Sequence, residues 1–170
     1  MITSGISLVN FKLKKDTKKI KENLNSIINN KNQIIYSLSK SYLNSYNYKK
    51  IKNYKKNKNF RIIGMGGSTL GAQAIYAFLK DKIKKKFKFI DNLQNYQKKK
   101  NNENYTNLII SKSGNTIETI VNANILIKNK DKNIFVTENK KNYLYLLAEK
   151  LKAEIIHHNN FIGGRYSVLS

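Results

Sequence analysis

Six consecutive residues, Ser111-Lys112-Ser113-Gly114-Asn115-Thr116, gather three hydroxyls, an amide, a lysine and a glycine. They follow the apolar run NLII and precede Ile117, Ile120, Val121 and Ile125, which recur at helical spacing. A helix that starts here turns its unpaired N–H groups and the positive end of its dipole toward the turn, which suits an anion. The hydroxyls of Ser111, Ser113 and Thr116, with Lys112 as a cation, would complete a cradle for the oxygens of a phosphate monoester. A capping box accounts for part of the pattern, with Asn115 as N-cap and Glu118 reaching back from the third helical position. It does not require so many donors, and the phosphate site is the favoured reading.

Two further turns carry unusual residues. Gly64-Met65-Gly66-Gly67-Ser68-Thr69-Leu70-Gly71 follows the run FRII. Glycine removes the steric bar to positive φ and lets backbone approach a ligand, while Ser68 can cap the next helix or offer its hydroxyl. The stretch is neither a P-loop nor a dinucleotide fingerprint, because the sixth position counted from Gly64 is Thr69. Alone it reads equally well as a tight structural turn. Gly163-Gly164-Arg165 follows the last β-rich run. An arginine on a double-glycine turn can point into the same crevice as a fixed cation for an oxyanion or second anionic group, although a surface loop is the plain alternative. The only histidines, His157 and His158, are adjacent and so face opposite ways on a strand. That makes them a poor metal pair, and they read as core or edge residues.

The elements that must position these turns are legible in the spacing. Short β-rich runs occur at 60–64, 86–90, 107–111, 133–137 and 154–158, with starts 26, 21, 26 and 21 residues apart. Three of the intervals hold helical patterns, while 91–106 is polar and only weakly helical. Strands alternating with crossover helices predict an α/β fold, a five-stranded parallel sheet in a Rossmann-like three-layer α/β/α sandwich. Ligands of such sheets bind at the carboxyl ends of the strands, where these turns fall. Ahead of the sheet, Asp16 reads as an N-cap, and Ile20, Leu24, Ile27, Ile28, Ile34, Ile35, Leu38 and Tyr42 predict one or two amphipathic helices over about 16–46, with Asn29-Asn30 as a break. Residues 47–59 form a charged connector, so 1–59 is a helical lead-in and 60–170 the sheet domain.

Composition bounds the function. The chain of 170 residues carries 33 Lys+Arg against 10 Asp+Glu, a formal charge of +23. Only Arg61 and Arg165 are arginine, and Lys, Asn and Ile together supply 80 residues. Those three share A/T-rich codons, so nucleotide bias explains the charge without a polyanionic partner. Nucleic-acid surfaces favour the arginine fork, and its scarcity argues against a nucleic-acid binder. The chain has no cysteine, which excludes disulfides and thiolate sites. No run approaches 18 apolar residues and the N-terminus lacks a signal-peptide pattern, so the expected location is cytoplasmic, with no membrane partner.

FRIIGMGGSTLG resembles the glycine-serine turn of glucose-6-phosphate isomerases, ISKSGNTIET their phosphate loop and IGGRYSVLS their arginine motif. The first two fit many sugar-isomerase (SIS) domains, and the third narrows the resemblance to this family. It covers 60–170 well and 1–59 only as a helical lead-in. It implies interconversion of glucose 6-phosphate and fructose 6-phosphate in glycolysis and gluconeogenesis, with no metal or other cofactor, by a homodimer. By the matching motifs, Ser111, Lys112, Ser113 and Thr116 would hold the phosphate, Gly67 and Ser68 would contact the sugar, and Arg165 would stabilise the charge of the enediolate. Met65 replaces the usual isoleucine. The family's catalytic glutamate, histidine and C-terminal lysine match no position before Ser170. The expectation is therefore a fragment without the second SIS domain, which binds its ligand and does not turn over alone. A stand-alone sugar-phosphate-binding domain without catalysis is the alternative.

Overall fold

The computed structural model describes residues 17–29, 32–43, 46–93, 104–128 and 130–169, the side chains of Arg165, Val168 and Leu169 excepted. Asp16 and Asn30, and with them the expected cap and part of the expected break, lie outside the described residues, as does most of the weakly helical interval. Three helices lead in: α1 (Thr17–Asn29), α2 (Gln33–Tyr36) and α3 (Tyr48–Lys52). The sheet region then runs β1 (Asn59–Gly64), α4 (Leu70–Leu79), β2 (Lys86–Ile90), β3 (Thr106–Ile110), α5 (Ile117–Leu126), β4 (Lys132–Glu138), α6 (Tyr143–Lys150) and β5 (Glu154–His158). Tight 3-10 turns follow β1 at Gly66–Ser68 and β5 at Gly164–Leu169.

The five strands form one sheet in the order β2-β1-β3-β4-β5, every pair parallel, as the spacing predicts. Alternation sorts its residues into two faces. Ile63, Ile90, Ile109 and Phe135 are register neighbours across four strands. They pack with Ala123 of α5 and with Leu144 and Ala148 of α6 into a core whose members are all buried. Burial of each large side chain in this row contributes about 1.5–3 kcal/mol. The opposite face carries Phe87 and Phe89, whose rings meet Tyr76 of α4 at 5.2 and 6.0 Å. Helices thus lie on both faces, but the coverage is unequal: Leu108, Val136 and Ile156 on the α4 side are only half-buried.

The lead-in departs from one continuous helical stripe. Asn32 accepts from the Ile34 amide at 2.8 Å and starts a new helix, and Ser37 then bonds back to the Ile34 carbonyl at 2.7 Å as that helix ends after one turn. The apolar side chains of α1, Ile20, Leu24, Ile27 and Ile28, are all exposed. The charged connector holds a short helix, α3, capped by Asn47 through the Lys49 amide at 2.9 Å. Tyr54, just beyond it, donates to Glu154 at the start of β5 at 2.7 Å and so ties the lead-in to the sheet.

Of the two arginines, Arg61 is structural. Its guanidinium donates to the Leu126 carbonyl, the last residue of α5, at 3.0 Å and lies 4.4 Å from the centre of the Tyr105 ring.

Candidate functional site

From β1 the chain crosses to β2 on one side, and β3 then returns to the other side of β1. That reversal opens a crevice at the carboxyl ends of β1 and β3, where parallel sheets bind ligands. The two ends are Gly64 and Ile110, which are register partners. A Cβ on Gly64 would lie 2.7 Å from the Ile110 carbonyl oxygen, so only glycine permits this approach. The glycine-rich turn and the serine loop therefore flank the switch point side by side.

In the serine loop, the hydroxyl of buried Ser111 lies 2.9 Å from that of Thr116 and 3.5 Å from that of Ser113. Ser113 Oγ also accepts from the Asn115 amide at 3.3 Å. The capping-box expectation is corrected here. The N-cap of α5 is Thr116, without a side-chain cap bond, and Asn115 instead accepts from the Tyr143 amide at 3.1 Å. The reason is tertiary: the first turn of α6 lies beside the loop and takes the Asn115 amide group for its own start. Glu118 is left at the second helical position, where its charge suits the helix dipole.

The loop is braced from β4. Ser111 donates its amide to the Val136 carbonyl at 3.0 Å, and the Lys112 carbonyl accepts from the Glu138 amide at 3.0 Å and from Thr137 Oγ1 at 3.1 Å. Asn142 donates to Thr137 Oγ1 at 2.9 Å and caps α6 through the Tyr145 amide at 2.9 Å. Gly114 has φ +65° and packs on the Asn142 amide group, leaving no space for a Cβ. A hydroxyl-lined turn held by this many bonds is preorganised rather than collapsed, and its first-turn amides have no intrahelical acceptor.

The glycine-rich turn meets the C-terminal turn directly. A Cβ on Gly67 would overlap the Gly164 carbonyl, and Ser167 Oγ donates to the Gly67 carbonyl at 3.3 Å. Ser68 does not cap α4, whose N-cap is Thr69; it lines the cleft. Arg165 belongs to the C-terminal turn by its backbone, and its side chain, with the direction expected of it, lies outside the described residues. Lys112 extends toward the same turn, its Nζ 3.3 Å from where a Gly163 Cβ would stand.

Together these turns enclose a cleft of about 200 Å³ lined by Gly67, Ser68, Lys112 and Ser167, with Ile110, Val136 and His158 at the strand ends and Ala72 on α4. Gly67, Ser68 and Lys112 are thus brought together, while Ser111, Ser113 and Thr116 form the adjoining loop. Ser167 and His158 are cleft residues that sequence reasoning misses. His158 lies on the edge strand β5, within the core-or-edge expectation, and because β5 runs on beside Glu138 its ring also forms part of the cleft wall. The rule that strand ends carry ligand sites was the available signal. His157 points the other way and stacks on Tyr145 at 6.3 Å. The His158 Nε2 lies 2.9 Å from the Ile162 carbonyl. Burial lowers its pKa below the ordinary 6.5; Lys112 acts in the same sense, against the Ile162 bond and Glu138.

Fold and cleft define the class: an open parallel α/β domain with a polar cleft at its switch point and a hydroxyl-rich loop at a helix start. Residues 9–170 match the profile of the phosphoglucose isomerase family, and the chain belongs to that family. The match takes in the lead-in as well as the sheet. Glucose-6-phosphate isomerase of Acholeplasma laidlawii is 38% identical over 133 residues, spanning 64% of this chain and 30% of that protein. The enzyme of Borreliella afzelii is 35% identical over 169 residues, spanning 88% of this chain and 31% of its own length. That of Methanocaldococcus jannaschii is 38% identical over 122 residues, or 64% of this chain and 29% of that protein. The chain thus spans about three-tenths of the curated relatives it matches. Among solved structures, a hypothetical protein of Thermus thermophilus superposes with a TM-score of 0.59 at 22% identity, over 70% of this chain and 32% of that one, a likeness of fold. Among the described residues no helix is long and apolar enough to cross a membrane.

Proposed function

We propose that this chain forms the phosphate-gripping part of an aldose–ketose isomerase that interconverts glucose 6-phosphate and fructose 6-phosphate. One observation carries the reading: three turns far apart in sequence meet at one cleft on the switch point. Ser111, Lys112, Ser113 and Thr116 hold the phosphate through hydroxyls, helix-start amides and one cation. Gly67 and Ser68 let the sugar chain lie against backbone, and Arg165 opposes the negative charge that develops on the enediolate. Residues 60–170 act as one SIS-type domain with 1–59 as its lead-in. The location is the cytoplasm and the working assembly a homodimer, both supported by the family resemblance alone.

Isomerisation moves a proton between C1 and C2, and its base must reach that proton. Among the described residues, no carboxylate lines the cleft. The 170 residues alone therefore bind sugar phosphate and leave it unconverted. Calorimetric titration of the chain with fructose 6-phosphate tests the binding half. Heat of binding for the wild type, reduced at least about tenfold in affinity by Ser113→Ala with Thr116→Ala, is the expected result. No binding by the wild type refutes the reading, and rapid conversion by the purified chain refutes its second half.

A further inference from the structure

We propose that His158 is a further substrate-positioning residue of this cleft, its Nδ1 accepting a hydrogen bond from a hydroxyl of the bound sugar phosphate. The proposal rests on the sugar-phosphate reading above. His158 lies at the carboxyl end of β5, opposite Glu138, and forms part of the cleft wall with Ser68, Lys112 and Ser167. Its Nε2 is 2.9 Å from the Ile162 carbonyl, which can only accept, so Nε2 carries the proton. In the neutral ring Nδ1 is then a bare acceptor, and among the described residues it has no hydrogen-bond partner.

The rest of the polar wall is differently equipped. Lys112 can only donate, and the hydroxyls of Ser68 and Ser167 can donate or accept, whereas His158 Nδ1 in this tautomer can only accept. A phosphate brings acceptors and is served by donors. A sugar hydroxyl brings a hydrogen that needs an acceptor, and His158 Nδ1 supplies one. The Ile162 bond fixes both the tautomer and the ring plane, so the acceptor is held in place before the ligand arrives. Ile162 is buried, immediately before Gly163 and Gly164, so the same bond keeps ring and C-terminal turn in register.

Two variants separate this role from support of the turn. His158→Gln retains an amide N–H near the Nε2 position and removes the Nδ1 acceptor. His158→Asn retains an oxygen near Nδ1 and gives up the Ile162 bond. Each is titrated with fructose 6-phosphate and, separately, with inorganic phosphate, which has no sugar hydroxyl. His158→Gln is expected to weaken fructose 6-phosphate about tenfold while leaving inorganic phosphate unchanged, with His158→Asn restoring most of the loss. In wild type, the nitrogen-15 resonance of Nδ1 is expected to move upfield on adding the sugar phosphate and to stay in place with inorganic phosphate. Unchanged fructose 6-phosphate affinity in His158→Gln, equal weakening of both ligands, or an unmoved Nδ1 resonance overturns the proposal. Wild type that binds inorganic phosphate but not fructose 6-phosphate overturns it too, whereas wild type that binds neither overturns the phosphate reading itself.

Discussion

Gly67 and Gly164 meet backbone to backbone, so closely that a Cβ on the first would overlap the carbonyl of the second. This contact closes one side of the cleft and couples the turn after β1 to the turn after β5. Gly67→Ala must push the C-terminal turn away, at a cost of about 1–3 kcal/mol for forced overpacking. Urea unfolding is expected to show that loss, and fructose 6-phosphate titration an affinity lowered at least about tenfold. A variant with wild-type stability and affinity would mean the two turns separate freely.

Gly114 and Asn142 form the corresponding joint on the other side of the cleft. Gly114→Ala introduces strain at φ +65° and a collision with the Asn142 amide, while Asn142→Ala removes the α6 cap and the bond to Thr137. Each is expected to cost about 1–3 kcal/mol. The double variant is expected to lose less than the sum, because the smaller side chain relieves the collision. A double-mutant cycle by urea unfolding measures the coupling, and strict additivity would show that the loop has another support.

Tyr54 gives a signature at high pH. Burial, with the hydrogen bond to Glu154 and its charge, pushes the phenol from 10.0 up to about 12. The unfolded chain therefore loses this proton first as pH rises. The stabilisation is fully present below pH 10 and disappears between 10 and about 12. The stability difference between wild type and Tyr54→Phe is expected to be constant up to about pH 9.5 and to shrink above it. Lysine titration affects both proteins alike and cancels in the comparison.

His158 gives one at low pH. Its lowered pKa means that the unfolded chain takes up this proton first on acidification. The contribution is present above pH 6.5 and is lost as pH falls through 6.5 toward the folded value. A ring-proton NMR titration is expected to place its midpoint below 6.5. A midpoint above 6.5 would show that Glu138 and the Ile162 carbonyl outweigh burial, and would favour a charged ring in the cleft.

The amino-acid sequence alone determined the strand count, the parallel α/β class and the three turns that meet at the cleft. These are local properties: alternation and helical spacing write themselves into neighbouring residues, and glycines mark turns where side chains cannot go. The α1 stripe and its end at Asn29 were legible, but the one-turn length of α2 was hidden in the side-chain bonds of Asn32 and Ser37. Tertiary structure decided which residues share a site. The order β2-β1-β3-β4-β5 puts Gly64 beside Ile110, and only that pairing makes two separate turns into one crevice. It reassigned Asn115 from its own helix to the start of α6, and it turned His158 from an ordinary strand residue into part of the cleft wall. Such contacts join residues as far as 100 positions apart and more, as Ser167 with Gly67 and Asn159 with Tyr42 show, and no local pattern encodes them until the sheet fixes which ends are neighbours.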